Sequence, residues 1–224
     1  MIQSPSTAAL AERARAYGCY IFAPLFEKVI EGEYYDSCAL LGPDGELVPA
    51  RLPGGGTLPC ARKVHLASIE ARGTRTDEKY WFRPGQGLTT FDTRFGRFGC
   101  LVCYDRSFPE AWRTLVLQGA EAIFIPVVSY GFREEMFIAE LRTRAMENAV
   151  FAAAANRGGK EALDFEVTCF GNSCIIDPYG SVIARGGSGT GPEIVVGEIN
   201  LDEISRARTS LPLIRDRRPE VYRL

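Results

Sequence analysis

The sequence places two cysteines, Cys100 and Cys103, in a Cys-x-x-Cys pattern. Such a pair serves as a redox dithiol, as half of a metal site, or as one nucleophile beside a packed thiol. The intervening Leu101 and Val102 favour a strand, in which positions i and i+3 point to opposite faces, too far apart for a disulfide. A zinc site needs more ligands, and the chain has no second Cys-x-x-Cys and a single histidine, His65. We therefore interpret Cys103 as a lone nucleophile and Cys100 as a packing residue.

The neighbourhood of Cys103 predicts the carboxyl edge of an α/β sheet. Residues 94–103 are apolar and β-prone and predict a strand, whereas residues 107–120 predict a helix. Ser107 and Glu110 have the spacing of a capping box at the start of that helix. Ligands bind at this edge of such sheets, and a helix N-terminus with a nearby cation favours the reactive thiolate.

A cysteine nucleophile needs an activating base or cation, and residues 61–70 contain two candidates. His65 is the only histidine, so a Cys/His pair would depend on it alone, and a lone histidine in such a place is more often structural. Lys63 stands two positions earlier, on the same face if this segment is extended. The pattern alone leaves both candidates open.

The elements that must position these residues follow an internal repeat. Residues 10–24 and 141–155 each combine a helix pattern with an apolar strand, at an offset of 131 positions. Residues 37–51 and 173–185 each contain a strand, a Pro-x-Gly turn and a second strand, which is typical of a hairpin. With a further strand at 121–128, the alternation of strands and helices predicts an α/β fold of two pseudo-repeat halves.

Composition narrows the class of protein. The 224 residues are 46% hydrophobic with a net charge of −2, and no Lys/Arg stripe is present, which argues against nucleic acid or an anionic membrane as a partner. No run of 18 apolar residues and no signal sequence are found. The seven cysteines are odd in number and irregularly spaced, unlike a secreted disulfide framework. We predict one cytoplasmic domain over 1–224.

Several segments together resemble the nitrilase (carbon–nitrogen hydrolase) superfamily. They span most of the chain in that family's order and include "RKVHL", "EKYWFRPG", "GCLVCYDRSFPEAWRTLVLQGAEAIFIP", "RAMENAVFAAAANRGG" and "RDRRPEVY". The resemblance implies a four-layer α-β-β-α sandwich with pseudo-two-fold halves. It also implies a hydrolase that associates as a homodimer or larger homo-oligomer. We expect no metal and no cofactor.

The resemblance assigns catalytic roles to three side chains and one backbone group. Cys103 would be the nucleophile that attacks an amide, ureido or nitrile carbon and forms a covalent intermediate. Lys63 and the backbone N–H of Tyr104 would stabilise the oxyanion. Glu78, from "EKYWFRPG", would orient the lysine.

The same motifs indicate the substrate class. "EKYWFRPG" and "CYDRSFPE" look closer to amidases and N-carbamoyl (ureido) hydrolases than to the nitrile-cleaving branch. Arg106 would then pair with a substrate carboxylate, or else form a structural salt bridge. Trp81 and Tyr130 would line the pocket, although aromatic side chains are more often part of a core. The partner would be a small amide or ureido molecule that releases ammonia.

The sequence also departs from the family's pattern. The family's general base is a glutamate in an early Pro-Glu, and the repeat offset puts its place before Met1, so we expect an N-terminally incomplete fold that lacks one strand-helix-strand piece. Glu27 matches a later family element and is not assigned as the base. Asp36 stands where the family often has Asn, and residues 52–60 are a Gly-rich insertion. The alternatives are a non-catalytic or impaired paralogue that acts by protein association, and a nitrile-hydrolysing enzyme.

Overall fold

The computed structural model describes residues 4–71, 74–162, 166–187 and 191–222. The elements of the first half are α1 (Pro5–Tyr17), β1 (Ile21–Ile30), β2 (Glu33–Leu41), β3 (Ala50–Arg51), β4 (Thr57–Leu58), β5 (Ala61–Arg62), β6 (Ser68–Ala71) and β7 (Thr74–Asp77), followed by a 3-10 turn (Glu78–Tyr80).

The second half begins with two strands, β8 (Thr90–Thr93) and β9 (Gly96–Cys100), and a 3-10 turn (Cys103–Ser107). It continues with α2 (Pro109–Leu117), β10 (Ala122–Val127), a 3-10 turn (Gly131–Arg133), α3 (Glu134–Asn148), β11 (Phe151–Asn156), β12 (Gly158–Ala162), β13 (Glu166–Phe170), β14 (Cys174–Ile176), β15 (Val182–Arg185), α4 (Asp202–Ser210) and a last 3-10 turn (Pro219–Val221). None of the described helices is long and apolar enough to cross a membrane.

Local sequence explains where the first helix begins and ends. Ser4 caps α1 because its hydroxyl accepts a hydrogen bond from the backbone N–H of Thr7, and Pro5 occupies the first helical position. Gly18 ends the helix in the left-handed region at φ 59°, which costs a glycine little. The chain then turns directly into β1.

Two β-sheets face each other. The larger has the order β15-β14-β11-β10-β9-β8-β3-β4 and the smaller the order β1-β2-β5, with β6–β7 and β12–β13 as separate hairpins. Strands β9, β10 and β11 are parallel, so their carboxyl ends lie at one edge. Phe22 of β1 stacks on Phe124 of β10 with ring centroids 4.5 Å apart and meets Phe91 of β8 edge-on. The two sheets therefore pack through aromatic side chains.

Helices cover the faces of the sheets that point away from this contact. The smaller sheet packs on α1 through a cluster that includes Ala14 and Leu41. The larger sheet packs on α2 and α3 through a cluster that includes Trp112, Ile123 and Leu141. The layers run helix, sheet, sheet, helices, which confirms the predicted α-β-β-α sandwich.

The predicted repeat is present in the pairing of the strands. Strand β1 follows α1 and pairs antiparallel with β2, as β11 follows α3 and pairs antiparallel with β14. The hairpin predicted at 173–185 is formed by β14 and β15. In the first half, a bridge between Leu41 and Leu47 closes the corresponding turn. Gly45 and Gly180 hold the same place in the two turns, at φ 77° and 82°.

The predicted start of α2 is wrong. The helix begins at Pro109 after Phe108, and no side chain in the described part of the chain makes a hydrogen bond that caps it. Ser107 is the last residue of the preceding 3-10 turn, and its hydroxyl accepts a hydrogen bond from the guanidinium of Arg133 at 2.9 Å. The Ser107 hydroxyl thus links its own turn to the turn that contains Arg133, and local sequence spacing does not reveal this contact.

Trp112 gives a test of how the fold supports the site. Its side chain is fully buried, and its indole N–H donates to the carbonyl of Arg106 at 2.7 Å. We expect Trp112→Ala to lower the free energy of unfolding by about 3–5 kcal/mol, because it removes a large core side chain and leaves a cavity. Urea denaturation measures this, with Leu117→Ala on the exposed end of the same helix as the control. A loss below about 1 kcal/mol would contradict the central place of Trp112 in this core.

Candidate active site

Cys103 lies in a tight turn that directly follows β9. The strand ends at Cys100, and the last backbone hydrogen bond to β10 runs from the N–H of Leu101 to the carbonyl of Phe124. Cys103 begins the 3-10 turn with φ 49°, a left-handed conformation that costs a non-glycine residue about 1–3 kcal/mol and is frequent at functional sites. The predicted strand over 94–103 is therefore too long, and alternation along a strand does not separate the two cysteines.

The two thiols nevertheless have the different environments that were predicted. Cys103 is half-buried, whereas Cys100 is buried in a cluster between the sheets together with Cys38. A hydrogen bond with Cys38 and burial both raise the pKa of Cys100, so its thiol stays protonated at neutral pH. The seven cysteines are all free thiols. Among the described residues, no cluster of His, Cys, Asp and Glu side chains is arranged to hold a metal ion.

Asp105 shapes this turn and joins it to the segment that carries Lys63. Its buried carboxylate accepts a hydrogen bond from the N–H of Val102 at 3.2 Å. It also accepts hydrogen bonds from the N–H groups of Val64 and His65 at 3.2 and 2.8 Å. One carboxylate thus links the residue after Lys63 to the residue before Cys103. Local sequence patterns do not single out Asp105, because its contacts with Val64 and His65 span about 40 positions.

His65 makes the contacts of a structural residue. Its Nδ1 lies 2.8 Å from Oδ1 of Asp105, and its ring stacks on Phe108 with centroids 3.8 Å apart. Two candidates were left open for activating Cys103. The ring of His65 is already engaged with Asp105 and Phe108, which leaves Lys63.

Lys63 is a buried cation held by two carboxylates. Its side chain is 1% exposed, and its Nζ lies 2.5 Å from Oε1 of Glu78 and 3.2 Å from Oδ2 of Asp36. Burial lowers the pKa of Lys63, but the charges of Cys103, Asp36 and Glu78 outweigh burial and leave the pKa raised. The ammonium therefore stays charged at neutral pH.

The orientation of Glu78 is fixed by the backbone. Glu78 begins a 3-10 turn after β7, where its N–H donates to the carbonyl of Ala67 at 2.8 Å. Its Oε2 accepts the N–H of Ala67 at 2.7 Å, and its Oε1 accepts from Lys63. Both oxygens are thus in use, in an arrangement that suits the predicted role of orienting Lys63.

Glu27 belongs to a separate ion pair. Its carboxylate accepts two hydrogen bonds from the guanidinium of Arg62, at 2.8 and 2.6 Å, and a third from Ser37 at 2.8 Å. Burial favours the protonated form of Glu27, but the hydrogen bonds from Arg62 and Ser37 outweigh it and lower the pKa. The pair anchors β5, whose next residue is Lys63.

A cavity of about 390 Å³ opens between the two sheets at the carboxyl edge of β9 and β10. Its polar end contains Asp36, Lys63, Glu78 and Cys103. The remaining wall is mostly apolar and comes from β1, β10 and β11, with side chains that include Phe22, Pro24, Phe124, Pro126, Ala153 and Ala155. A smaller cavity of about 80 Å³ adjoins it and shares Cys103 and Glu78.

Two of the three predicted substrate residues line these cavities. Tyr130 lines both, and its hydroxyl donates to the carbonyl of Arg75. Arg106 lines the smaller one but is buried, donates to the carbonyl of Cys103 at 2.8 Å and pairs with Glu140. Burial lowers the pKa of its guanidinium, against the opposing charges of Cys103 and Glu140. Arg106 thus holds the turn that carries Cys103.

Trp81 is placed differently from the prediction. Its side chain is 63% exposed and meets Tyr80 edge-on, with ring centroids 4.8 Å apart. Among the described residues, those that line the two cavities do not include Trp81. The backbone of Glu78 accounts for the difference, because the turn that points its carboxylate at Lys63 also carries Trp81 away to the surface.

The sequence is similar to those of known proteins. The sequence profile of the carbon–nitrogen hydrolases matches residues 1–209. The chain belongs to the carbon–nitrogen hydrolase family. This carbon–nitrogen hydrolase is 30% identical to the N-carbamoylputrescine amidase of Arabidopsis thaliana, with 98% of the chain and 73% of the relative aligned. It is also 30% identical to the omega-amidase NIT2 of Homo sapiens, over 99% of the chain and 76% of the relative.

Solved structures of the family have the same fold as this carbon–nitrogen hydrolase. A carbon–nitrogen hydrolase from Helicobacter pylori superposes with a TM-score of 0.83 at 27% identity, covering 97% of this chain and 74% of that one. Nit3 of Saccharomyces cerevisiae, a member of the nitrilase superfamily, superposes with a TM-score of 0.79 at 26% identity, covering 96% and 72%. Together with the profile match, they establish that the protein is a carbon–nitrogen hydrolase enzyme.

Proposed function

We propose that this enzyme hydrolyses the C–N bond of small amides or N-carbamoyl compounds, with Cys103 as the nucleophile. The observation that carries the proposal is the polar end of the larger cavity. There, a half-buried thiol shares one wall with a buried ammonium that is held by two carboxylates. A nucleophile beside a fixed positive charge is the arrangement that acyl transfer needs.

The reaction proceeds through a covalent intermediate. The thiolate of Cys103 adds to the carbonyl carbon, and the negative charge that develops on oxygen is stabilised by Lys63 and by the backbone N–H of Tyr104. Glu78 keeps Lys63 in place. Collapse of the tetrahedral adduct expels ammonia or an amine and leaves a thioester, or a thiocarbamate from a ureido substrate. Water then hydrolyses this intermediate.

The substrate class rests on the relatives and on the cavities. The aligned relatives are named for an N-carbamoyl substrate and for an omega-amide. The larger cavity suits the acyl part of a substrate, because most of its wall is apolar. Tyr130 and Arg106 line the smaller cavity, where we place a polar substituent of the substrate. A homo-oligomeric state and a cytoplasmic location remain predictions from the sequence.

Ammonia release from a panel of compounds tests this proposal. The panel contains aliphatic amides, ω-amides, N-carbamoyl amines and amino acids, and matched nitriles, each incubated with the purified protein. We expect ammonia from at least one amide or N-carbamoyl group and little from the nitriles. Preferential hydrolysis of nitriles, or no ammonia from the whole panel, would contradict the proposal.

A further inference from the structure

We propose that Asp36 is the general base of this hydrolase, which accepts the proton of the Cys103 thiol and later that of the hydrolytic water. The inference rests on the proposed function and names a further catalytic residue for that reaction. The proposed reaction requires a group that accepts two protons in turn. A thiol must lose a proton before it attacks, and a water must lose one before it can release the acyl group.

Most titratable groups that line the larger cavity are unsuited to accept these protons. Lys63 is a charged ammonium with no free electron pair. Both oxygens of Glu78 already accept hydrogen bonds, from Lys63 and from the backbone of Ala67. Burial raises the pKa of Tyr130, so its hydroxyl stays protonated at neutral pH.

Asp36 has a spare oxygen at the right end of the cavity. It lies on β2, where its backbone carbonyl accepts the N–H of Lys63 at 2.8 Å, so the two residues keep a fixed relation. Its Oδ2 lies 3.2 Å from Nζ of Lys63. Among the described residues, none donates a hydrogen bond to Oδ1, and the side chain is 27% exposed toward the cavity that Cys103 also lines. Oδ1 is therefore available to accept a hydrogen bond from a water in the cavity that Cys103 also lines.

Burial and the charges around Asp36 shift its pKa in the direction that favours proton transfer. Burial raises the pKa of Asp36, Lys63 lowers it in part, and the nearby carboxylates of Glu78 and Asp105 raise it again. The net shift is upward, which brings the pKa closer to neutral pH, where a general base is most effective. Cys103 lines the same cavity, and its charge acts on the same Lys63 ammonium.

Protons and bonds balance over one cycle. In acylation the Sγ–H proton moves through a water to Asp36 while the S–C bond forms, and Asp36 returns it to the nitrogen as the C–N bond breaks. In deacylation a water loses a proton to Asp36 while its oxygen bonds to the acyl carbon. The C–S bond then breaks, and the thiolate recovers the proton from Asp36. One water is consumed in total.

The variant Asp36→Asn tests the inference, because asparagine has the same size and retains an oxygen for Lys63. We expect kcat to fall roughly 10²-fold, at the lower end of the range for loss of a general base. In the unmodified enzyme activity falls as pH drops through the pKa of Asp36, because only the carboxylate accepts a proton. Asparagine does not titrate, so this acid limb disappears from the pH–rate profile of the variant. Formation of the covalent intermediate, followed by intact-protein mass spectrometry, slows as well, because acylation loses the same base.

Asp44→Asn is the matched control, because Asp44 is an exposed turn residue and the substitution is the same. We expect it to leave kcat and the acid limb unchanged. An active enzyme whose Asp36→Asn variant keeps the acid limb, or keeps kcat within about threefold, would overturn this inference and leave the proposed function intact. An unmodified enzyme that hydrolyses none of the panel would overturn both.

Discussion

Cys103→Ala is expected to reduce kcat for ammonia release by on the order of 10⁶-fold, the loss found when a hydrolase is deprived of its nucleophile. The variant has no thiol to form the covalent intermediate. The remaining oxyanion site can assist only a direct attack of water on the substrate. Cys103 is half-buried at a cavity wall, so its replacement by alanine removes one atom without opening a core. Far-UV circular dichroism and the unfolding midpoint should match those of the unmodified protein.

Cys100→Ala is the matched control for this substitution. Cys100 is buried between the sheets, and hydrogen bonding and burial keep its thiol protonated. Its removal should lower stability by about 1 kcal/mol or more while kcat stays within a few-fold. The assignment of Cys103 fails if its alanine variant retains a substantial share of the activity, or if Cys100→Ala abolishes activity in a folded protein.

Lys63→Met is expected to produce the second-largest loss of kcat. Methionine keeps most of the volume but removes the ammonium that neutralises Asp36 and Glu78. Loss of one oxyanion donor costs about 10²–10³ in kcat, and the disturbed carboxylates add to that loss. Two uncompensated carboxylates near a buried position should also lower the free energy of unfolding by about 3–5 kcal/mol.

Both effects of Lys63→Met can be measured separately. Urea denaturation gives the stability, and kcat is then determined at a temperature at which circular dichroism shows a folded protein. Lys79→Met removes a charge from an exposed neighbour in the same segment and should change neither quantity appreciably. A folded Lys63→Met protein with more than about a tenth of the normal kcat would contradict the role of Lys63 at the oxyanion.

Local motifs made much of the fold and the site predictable. Helix–strand pairs at a fixed offset indicated two similar halves, and β1–β2 and β11–β14 pair in the same way. Short motifs around Cys103, Lys63 and Glu78 singled out three residues that the fold brings to one cavity. Each of these motifs lies within a few consecutive residues, so it can be recognised without knowledge of any distant contact.

The features of the fold that the sequence did not predict depend on contacts between distant parts of the chain. β9 ends at Cys100 and the next residues turn because Asp105 accepts backbone N–H groups from Val64 and His65, about 40 positions away. No propensity in residues 94–103 encodes that partner, so the strand was predicted too long. The same applies to Ser107, whose hydroxyl serves another element.

Two side chains, those of Asp36 and Trp81, show why residue type alone does not predict which residues line the site. Asp36 stood out in the sequence only as a departure from the family's usual asparagine, yet β2 places it against Lys63. Trp81 has the type expected of a pocket wall but lies on the surface, 63% exposed. In both cases the direction of the side chain depends on how strands and turns pack together.

The most direct test of the central claim is to trap the covalent intermediate and locate it. The protein is mixed with a substrate from the amide and N-carbamoyl panel, quenched in acid and examined by intact-protein and peptide mass spectrometry. We expect a mass increase equal to the acyl or carbamoyl group on the peptide that contains Cys103, and no such increase in Cys103→Ala. Turnover without any adduct, or an adduct on another of the seven cysteines, would contradict the assignment of Cys103 as the nucleophile.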